Sequence, residues 1–178
     1  MKKIVLVGTA VLLSCSAFAG RKMNLVKISS GSKFNDISKT VKQELDDKVA
    51  GGVSLKVTFT KGGNIGSYNP KLRNWNNAEK LVFQVMNPTK KMLQFDLIVV
   101  PKDLKGKSRY NARSDNKLLL KPGMNKIVME LGDFTNNSGD PLDFAHIVQY
   151  YITPTAKALK ATGGTITIYI KKIYIEME

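Results

Sequence analysis

Apolar residues alternate with polar ones along much of this chain, and that period of two decides which folds are open to it. Val53, Leu55, Val57 and Phe59 are separated by Ser54, Lys56 and Thr58. Successive side chains of a strand point to opposite faces, so these four apolar groups share one face, whereas a helix would scatter them around its axis. The same alternation recurs at Leu81, Phe83 and Val85, then at Leu93, Phe95, Leu97 and Val99. Asn87-Pro88-Thr89-Lys90 lies between these two runs and supplies turn chemistry, which predicts an antiparallel pair. Further strands are expected over residues 109–113, 117–120, 125–131 and 147–152, with Lys121-Pro122-Gly123 as a turn. About seven or eight short strands, with turns roughly every ten residues, describe an all-β sandwich of two antiparallel sheets. Its expected core joins Leu55, Val57, Phe59, Leu81, Phe83, Val85, Phe95, Leu97, Ile127, Met129, Ile168 and Ile170.

Two stretches depart from simple alternation. Ile166, Ile168 and Ile170 occupy even positions, whereas Ile173 and Ile175 occupy odd ones. One face holds both sets only if a residue is inserted, so a β-bulge is expected at Lys171-Lys172. Residues 34–49 admit two readings. Ile37, Val41 and Leu45 have helical spacing, but Val49-Ala50-Gly51-Gly52 runs straight into a strand, as an irregular edge strand and loop would. No internal repeat and no linker interrupts residues 30–178.

The N-terminus reads as targeting. Lys2 and Lys3 precede an apolar run from Ile4 to Leu13, and Ala17-Phe18-Ala19 places small residues where a signal peptidase reads them. Residues 1–19 are therefore expected to be a signal peptide. Residues 20–178 are expected to form a single β-sandwich domain, with 20–33 a poorly ordered N-terminal segment. A rival site lies upstream, because Leu12-Leu13-Ser14-Cys15 resembles the lipobox of bacterial lipoproteins. Membrane attachment is expected only if Cys15 is lipidated; otherwise the exported protein is periplasmic or secreted. Beyond this leader no apolar stretch reaches the roughly 18 residues that span a bilayer.

Composition narrows the chemistry. A hydrophobic fraction of 43% across 178 residues is enough for a sizeable core. One Cys and one His exclude a zinc cage built from those ligands and an intramolecular disulfide. Loss of Lys2 and Lys3 with the leader would lower the net charge of +14 by two and remove Cys15. Nucleic acid would suit such charge, but export argues against it as a physiological partner.

Several segments, taken in order, resemble a known family. Gly51-Gly52-Val53-Ser54-Leu55-Lys56-Val57-Thr58-Phe59 and the run from Trp75 to Pro88 look like the opening strands of galactose-binding-like β-sandwich domains. The run from Leu119 to Ile127 resembles that family's turn before a core strand, and the run from Thr167 to Ile175 its closing strand. The resemblance covers most of residues 45–176. It implies a jelly roll, often appended to polysaccharide-degrading enzymes as a carbohydrate-binding module. One fold hosts many functions, so it does not fix the ligand.

That family's closing strand usually has an acidic residue where this chain has Lys171, and several members bind structural calcium. Calcium takes about six to eight oxygen ligands. The acidic groups here, Glu44, Asp46 and Asp47 with Asp140 and Asp143 farther along, form short clusters and are read as solvated loop acids. No metal and no cofactor are expected. His146 lies in Leu142-Asp143-Phe144-Ala145-His146-Ile147 and is read as structural, because catalysis would also need a nucleophile and an orienting group. Asp140/Asp143 and Asp46/Asp47 are neighbours on one loop, whereas glycosidase carboxyls face each other across a cleft. The chain is therefore not expected to be an enzyme.

Binding is the better expectation. Sugar rings stack their apolar faces on aromatic rings while polar side chains bond the hydroxyls. The segment 65–77, expected to be a loop, carries Tyr68, Arg73, Asn74 and Trp75, although a Trp just before a core strand also commonly packs at the core's edge. Residues 102–126 hold Lys102, Lys105, Lys107, Arg109, Arg113, Lys117, Lys121 and Lys126 against Asp103 and Asp115. On a strand, Lys107, Arg109 and Arg113 would line one face with Asn111. Such a stripe suits sulfate, phosphate or carboxylate, or else guards a sheet edge against aggregation. The expected ligand-binding residues are Tyr68, Arg73, Trp75, Lys107, Arg109 and Arg113. Two functions follow: a noncatalytic exported carbohydrate-binding protein for a polysaccharide or other envelope glycan, with an anionic polysaccharide suggested by the basic charge, or a structural, protein-interaction β-sandwich of the cell envelope.

Overall fold

The computed structural model describes residues 20–28, 31, 33–102 and 104–177. The expected leader 1–19, with Cys15 and both processing sites, lies outside them. Two antiparallel sheets face each other. The first contains β3 (Val41–Asp46), β4 (Ser54–Thr60), β11 (Thr165–Met177), β6 (Ala78–Asn87) and β9 (Gly123–Glu130) in that spatial order, with β1 (Lys22–Val26) also paired to β11. The second runs β2 (Asp36–Ile37), β5 (Ile65–Tyr68), β10 (Gln149–Pro154), β7 (Leu93–Val100) and β8 (Ser114–Leu120). Helix α1 (Gly106–Ala112) joins β7 to β8, and α2 (Ala156–Ala161) joins β10 to β11. Thr155 caps α2 by accepting the N–H of Ala158. This is the jelly-roll β-sandwich that the sequence resembles.

The alternating residues form the core as expected. Leu55, Val57, Phe59, Leu81, Phe83, Val85, Phe95, Leu97, Ile168 and Ile170 are all buried. Phe59 from the first sheet meets Phe95 from the second with ring centroids 5.4 Å apart, so aromatic contact bridges the layers. Ile127 and Met129 are half-buried instead, because β9 is an edge strand. The bulge also appears where the isoleucine parity requires it. Ile170 pairs with Val85 and Lys172 with Gln84, so Lys171 is the extra residue, and Ile173 and Ile175 return to the core face.

Three expectations are corrected. Residues 109–113 are not a strand: residues 106–112 form α1, with Arg113 at its C-cap. Charge, not hydrophobicity, alternates there, so a strand would have no apolar face to bury, and α1 indeed buries none of its residues. Within residues 20–33, expected to be loose, Lys22–Val26 instead pairs with β11. Residues 65–68, expected to lie in a loop, are β5; its Gly66 and Ser67 hide the alternation that would have revealed it. The ambiguous 34–49 segment is not helical: it holds β2 and β3 with a turn at residues 39–40 between them and a turn after β3. Ile37 belongs to the second sheet and Val41 to the first, so their spacing of four reflects a chain crossing between layers.

Candidate functional site

Directly opposed residues of antiparallel strands share a face. On the outer face of the second sheet this register sets Asp36, Gly66, Tyr151, Ile98 and Asp115 in one row across all five strands. The adjacent row holds Tyr68, Gln149 and Val100. Ile98, Val100 and Val148 form a small buried cluster separate from the main core, and Tyr151 packs against it half-buried. Gly66 is required beside Tyr151. A Cβ there would stand 2.0 Å from the Tyr150 carbonyl oxygen and 2.5 Å from Tyr151 Cβ.

Helix α1 delivers the polar groups. Arg109 donates through Nη2 to Gln149 Oε1, and Gln149 Nε2 donates to Asp36 Oδ2 at 2.5 Å. This chain runs across the second sheet beside the Tyr68 position. Arg109 Nη1 also reaches the Leu104 carbonyl at 3.4 Å. Arg113 Nη2 donates to Asp115 Oδ2 at 2.9 Å, and its Nε lies 2.8 Å from Oδ1 without the alignment of a hydrogen bond. The same guanidinium sits 4.7 Å from the Tyr110 ring centroid. Burial opposes the Arg113 charge, but Asp115, by hydrogen bond and by charge, outweighs it and raises the pKa. Burial likewise raises that of the Tyr151 phenol, with Arg113 and Arg109 pulling against it. The Tyr151 phenol therefore stays neutral near pH 7 and keeps a hydroxyl that donates as well as accepts.

The expected site residues separate into two groups. Tyr68 and Arg109 come together, flanking Gln149, and Arg113 stands near Tyr151, although the sequence had suggested two distant patches. Lys107 does not join them, because residues two apart on a helix do not face each other. Trp75 is fully buried: it stacks against Phe144 at 6.3 Å between centroids, and its Nε1 donates to the Leu72 carbonyl. It offers no face to a ligand. Arg73 is exposed, beyond the end of β5, with Nη1 3.4 Å from His146 Nε2.

Sequence reasoning missed Tyr151, Gln149 and Asp36. One signal was available: in Gln149-Tyr150-Tyr151-Ile152, Tyr150 and Ile152 point inward, which leaves an aromatic on the polar face. Among the described residues, no group of three or more His, Cys, Asp or Glu stands ready to hold a metal. Of the acidic clusters, Glu44 pairs with Lys56, and Asp46 accepts the N–H groups of Lys48 and Val49. The Ala145 N–H, and then Lys102, hold the Asp143 carboxyl below its usual pKa.

No protein-family model and no curated protein matches the chain. Solved structures do resemble it in shape. CtCBM11 superposes with a TM-score of 0.63 at 13% identity, covering 92% of this chain and 98% of that one. A family 11 carbohydrate-binding module from Clostridium thermocellum, in complex with a β-1,3-1,4-mixed-linked tetrasaccharide, gives 0.55 at 12% identity over 77% and 82%. An agarase gives 0.64 at 11% identity, over 89% of this chain and 25% of the agarase. The likeness is one of fold: the chain shares the two-sheet antiparallel jelly-roll sandwich of these modules.

Proposed function

We propose that the protein is a noncatalytic carbohydrate-binding module that presents the outer face of its second sheet to a polysaccharide. The observation that carries this reading is the placement of Tyr151 and Tyr68 in adjacent rows with the Arg109–Gln149–Asp36 chain between them. Aromatic rings for stacking and fixed polar groups for hydroxyls are what a sugar ring needs. The shared fold with a module bound to a mixed-linked tetrasaccharide supports the same reading. The carboxylates of this face favour binding over hydrolysis. Asp36 and Asp115 stand four strand spacings apart, about 19 Å, whereas paired glycosidase carboxyls stand about 5–10 Å apart. Each is also engaged, by Gln149 and by Arg113. Electrophoresis through gels containing soluble polysaccharides tests the proposal: the parent should be retarded by at least one of them and Tyr151→Ala should run freely. Equal retardation of both would overturn it.

The finer reading is an anionic polysaccharide met outside the cytoplasm. The net charge of +14 and the basic groups of α1 support the anionic part, and the leader pattern over residues 1–19 supports export. Mass spectrometry should then find Gly20 at the mature N-terminus, and a lipidated Cys15 would overturn soluble processing. A second reading, a protein-interaction scaffold of the envelope, draws on Met124 and Val128. These are 52% and 45% exposed on the outer face of the first sheet. Absence of binding to every glycan tested would favour it.

A further inference from the structure

A cavity of about 480 Å³ opens where β1 of the first sheet passes the end of β5 in the second. Lys27, Lys33 and Lys71 line it together with Asn24, Asn69 and Ser67. Leu25, Pro70 and Leu72 give it an apolar side. Among the described residues, no carboxylate lines it. The volume falls in the range of small-ligand sites, roughly 300–1,000 Å³.

The backbone builds this cavity deliberately. Pairing of β1 with β11 shifts register between Asn24 and Val26. Asn69, with φ of 49°, turns the chain sharply off the end of β5. Asn35 fixes that turn from both sides, donating to the Tyr68 carbonyl at 2.8 Å and accepting its N–H at 2.9 Å. At the cavity wall Ser67 Oγ donates to the Tyr150 hydroxyl at 3.1 Å, and that hydroxyl reaches the Leu25 carbonyl at 3.5 Å. Burial pushes the Tyr150 pKa up to about 12, so the buried end stays neutral and does not offset the ammonium groups.

The ammonium charges of Lys33 and Lys71, side-chain amides and an apolar strip together match one kind of small ligand. Ammonium groups serve as point charges for an oxyanion, amides bond hydroxyls, and the apolar strip meets the C–H face of a ring. We propose that the cavity binds one acidic sugar unit, a pyranose bearing a carboxylate or a sulfate, at a site separate from the tyrosine face. The identity of the ring rests on the glycan reading above; the charge preference rests on the cavity.

Amide shifts of the full chain, followed by NMR in separate titrations, test it with three probes for the cavity: sodium glucuronate, glucose and sodium sulfate. Glucuronate should move the amides of Asn24, Asn69 and Lys71 saturably, glucose should not, and sulfate should bind more weakly. Lys33→Gln with Lys71→Gln should weaken glucuronate about tenfold, equivalent to about 1.4 kcal/mol, which lies within what two exposed ion pairs supply. The circular dichroism spectrum should stay unchanged. Glucuronate without shifts at these amides, glucose binding equally well, or the double variant matching the parent would overturn the proposal. Sulfate equal to glucuronate would overturn the sugar part and leave a simple anion site. A soluble mixed-linked β-glucan, followed at the Tyr151 and Gln149 amides, reports on the sheet face separately.

Discussion

Replacing Gly66 by Ala sets two opposed effects against each other. Removing a glycine restricts the unfolded chain and, where the native backbone accepts a side chain, stabilises by about 0.4–1 kcal/mol. Here the new Cβ would stand 2.0 Å from the Tyr150 carbonyl oxygen and 2.5 Å from Tyr151 Cα. Those are atoms of β10, the central strand of the second sheet, not the tips of flexible side chains, so the clash is relieved only by moving strands apart by an ångström or more. Overpacking of this kind costs about 1–3 kcal/mol or more. The clash wins, and the net loss should be about 1–2 kcal/mol. In urea, with a slope near 2 kcal/mol per molar, the midpoint should fall by about 0.5–1 M without a change of slope. Because Tyr151 rides on the displaced strand, glycan affinity should fall as well. A Gly66→Ala protein as stable as the parent, or more so, would refute the reasoning about this strand contact.

Other outcomes follow from the same structure. Phe83→Ala, which empties a core position that is 1% exposed, should cost about 3–5 kcal/mol by denaturant titration. Tyr150, with its pKa raised by burial to about 12, should make stability fall as pH rises between about 10 and 12. In that window the unfolded phenol has lost the proton that the folded one retains, a term of about 2–3 kcal/mol. Tyr150→Phe should flatten that part of the curve, and an unchanged slope would contradict the assignment. Arg109→Ala with Arg113→Ala should remove the salt-dependent part of binding to acidic glycans, most visibly between 0.1 M salt and 1 M, where the screening length falls from about 10 to 3 Å. Equal binding by this variant would mean that the two arginines act only in holding Gln149 and Asp115.

The sheets were legible because each core strand alternates cleanly, and even the bulge at Lys171 could be located from the parity of the isoleucines. Pairing across long sequence separations was not. Gly66 contributes no hydrophobic signal, yet it marks the strand that carries Tyr68 to the sheet face. Residues 109–113 misled for a related reason: spacing of charges every second residue imitates a strand, but only burial of apolar groups stabilises one. Trp75 lay in the most promising segment for sugar stacking, but its ring fills the core beside Phe144 and Tyr150. Tyr151 went unnoticed because its neighbour Tyr150 shares its chemistry, and only strand register decides which of the two faces out.

Glycan recognition by the second sheet is tested most directly by isothermal titration calorimetry of the full chain against a neutral mixed-linked β-glucan and a sulfated polysaccharide, with Tyr151→Ala and Tyr68→Ala measured beside the parent. Saturable binding of at least one polysaccharide, weakened tenfold or more by Tyr151→Ala and less by Tyr68→Ala in a protein of unchanged stability, is the expected result. Binding that survives both substitutions undiminished, or no binding to either polymer, would contradict it.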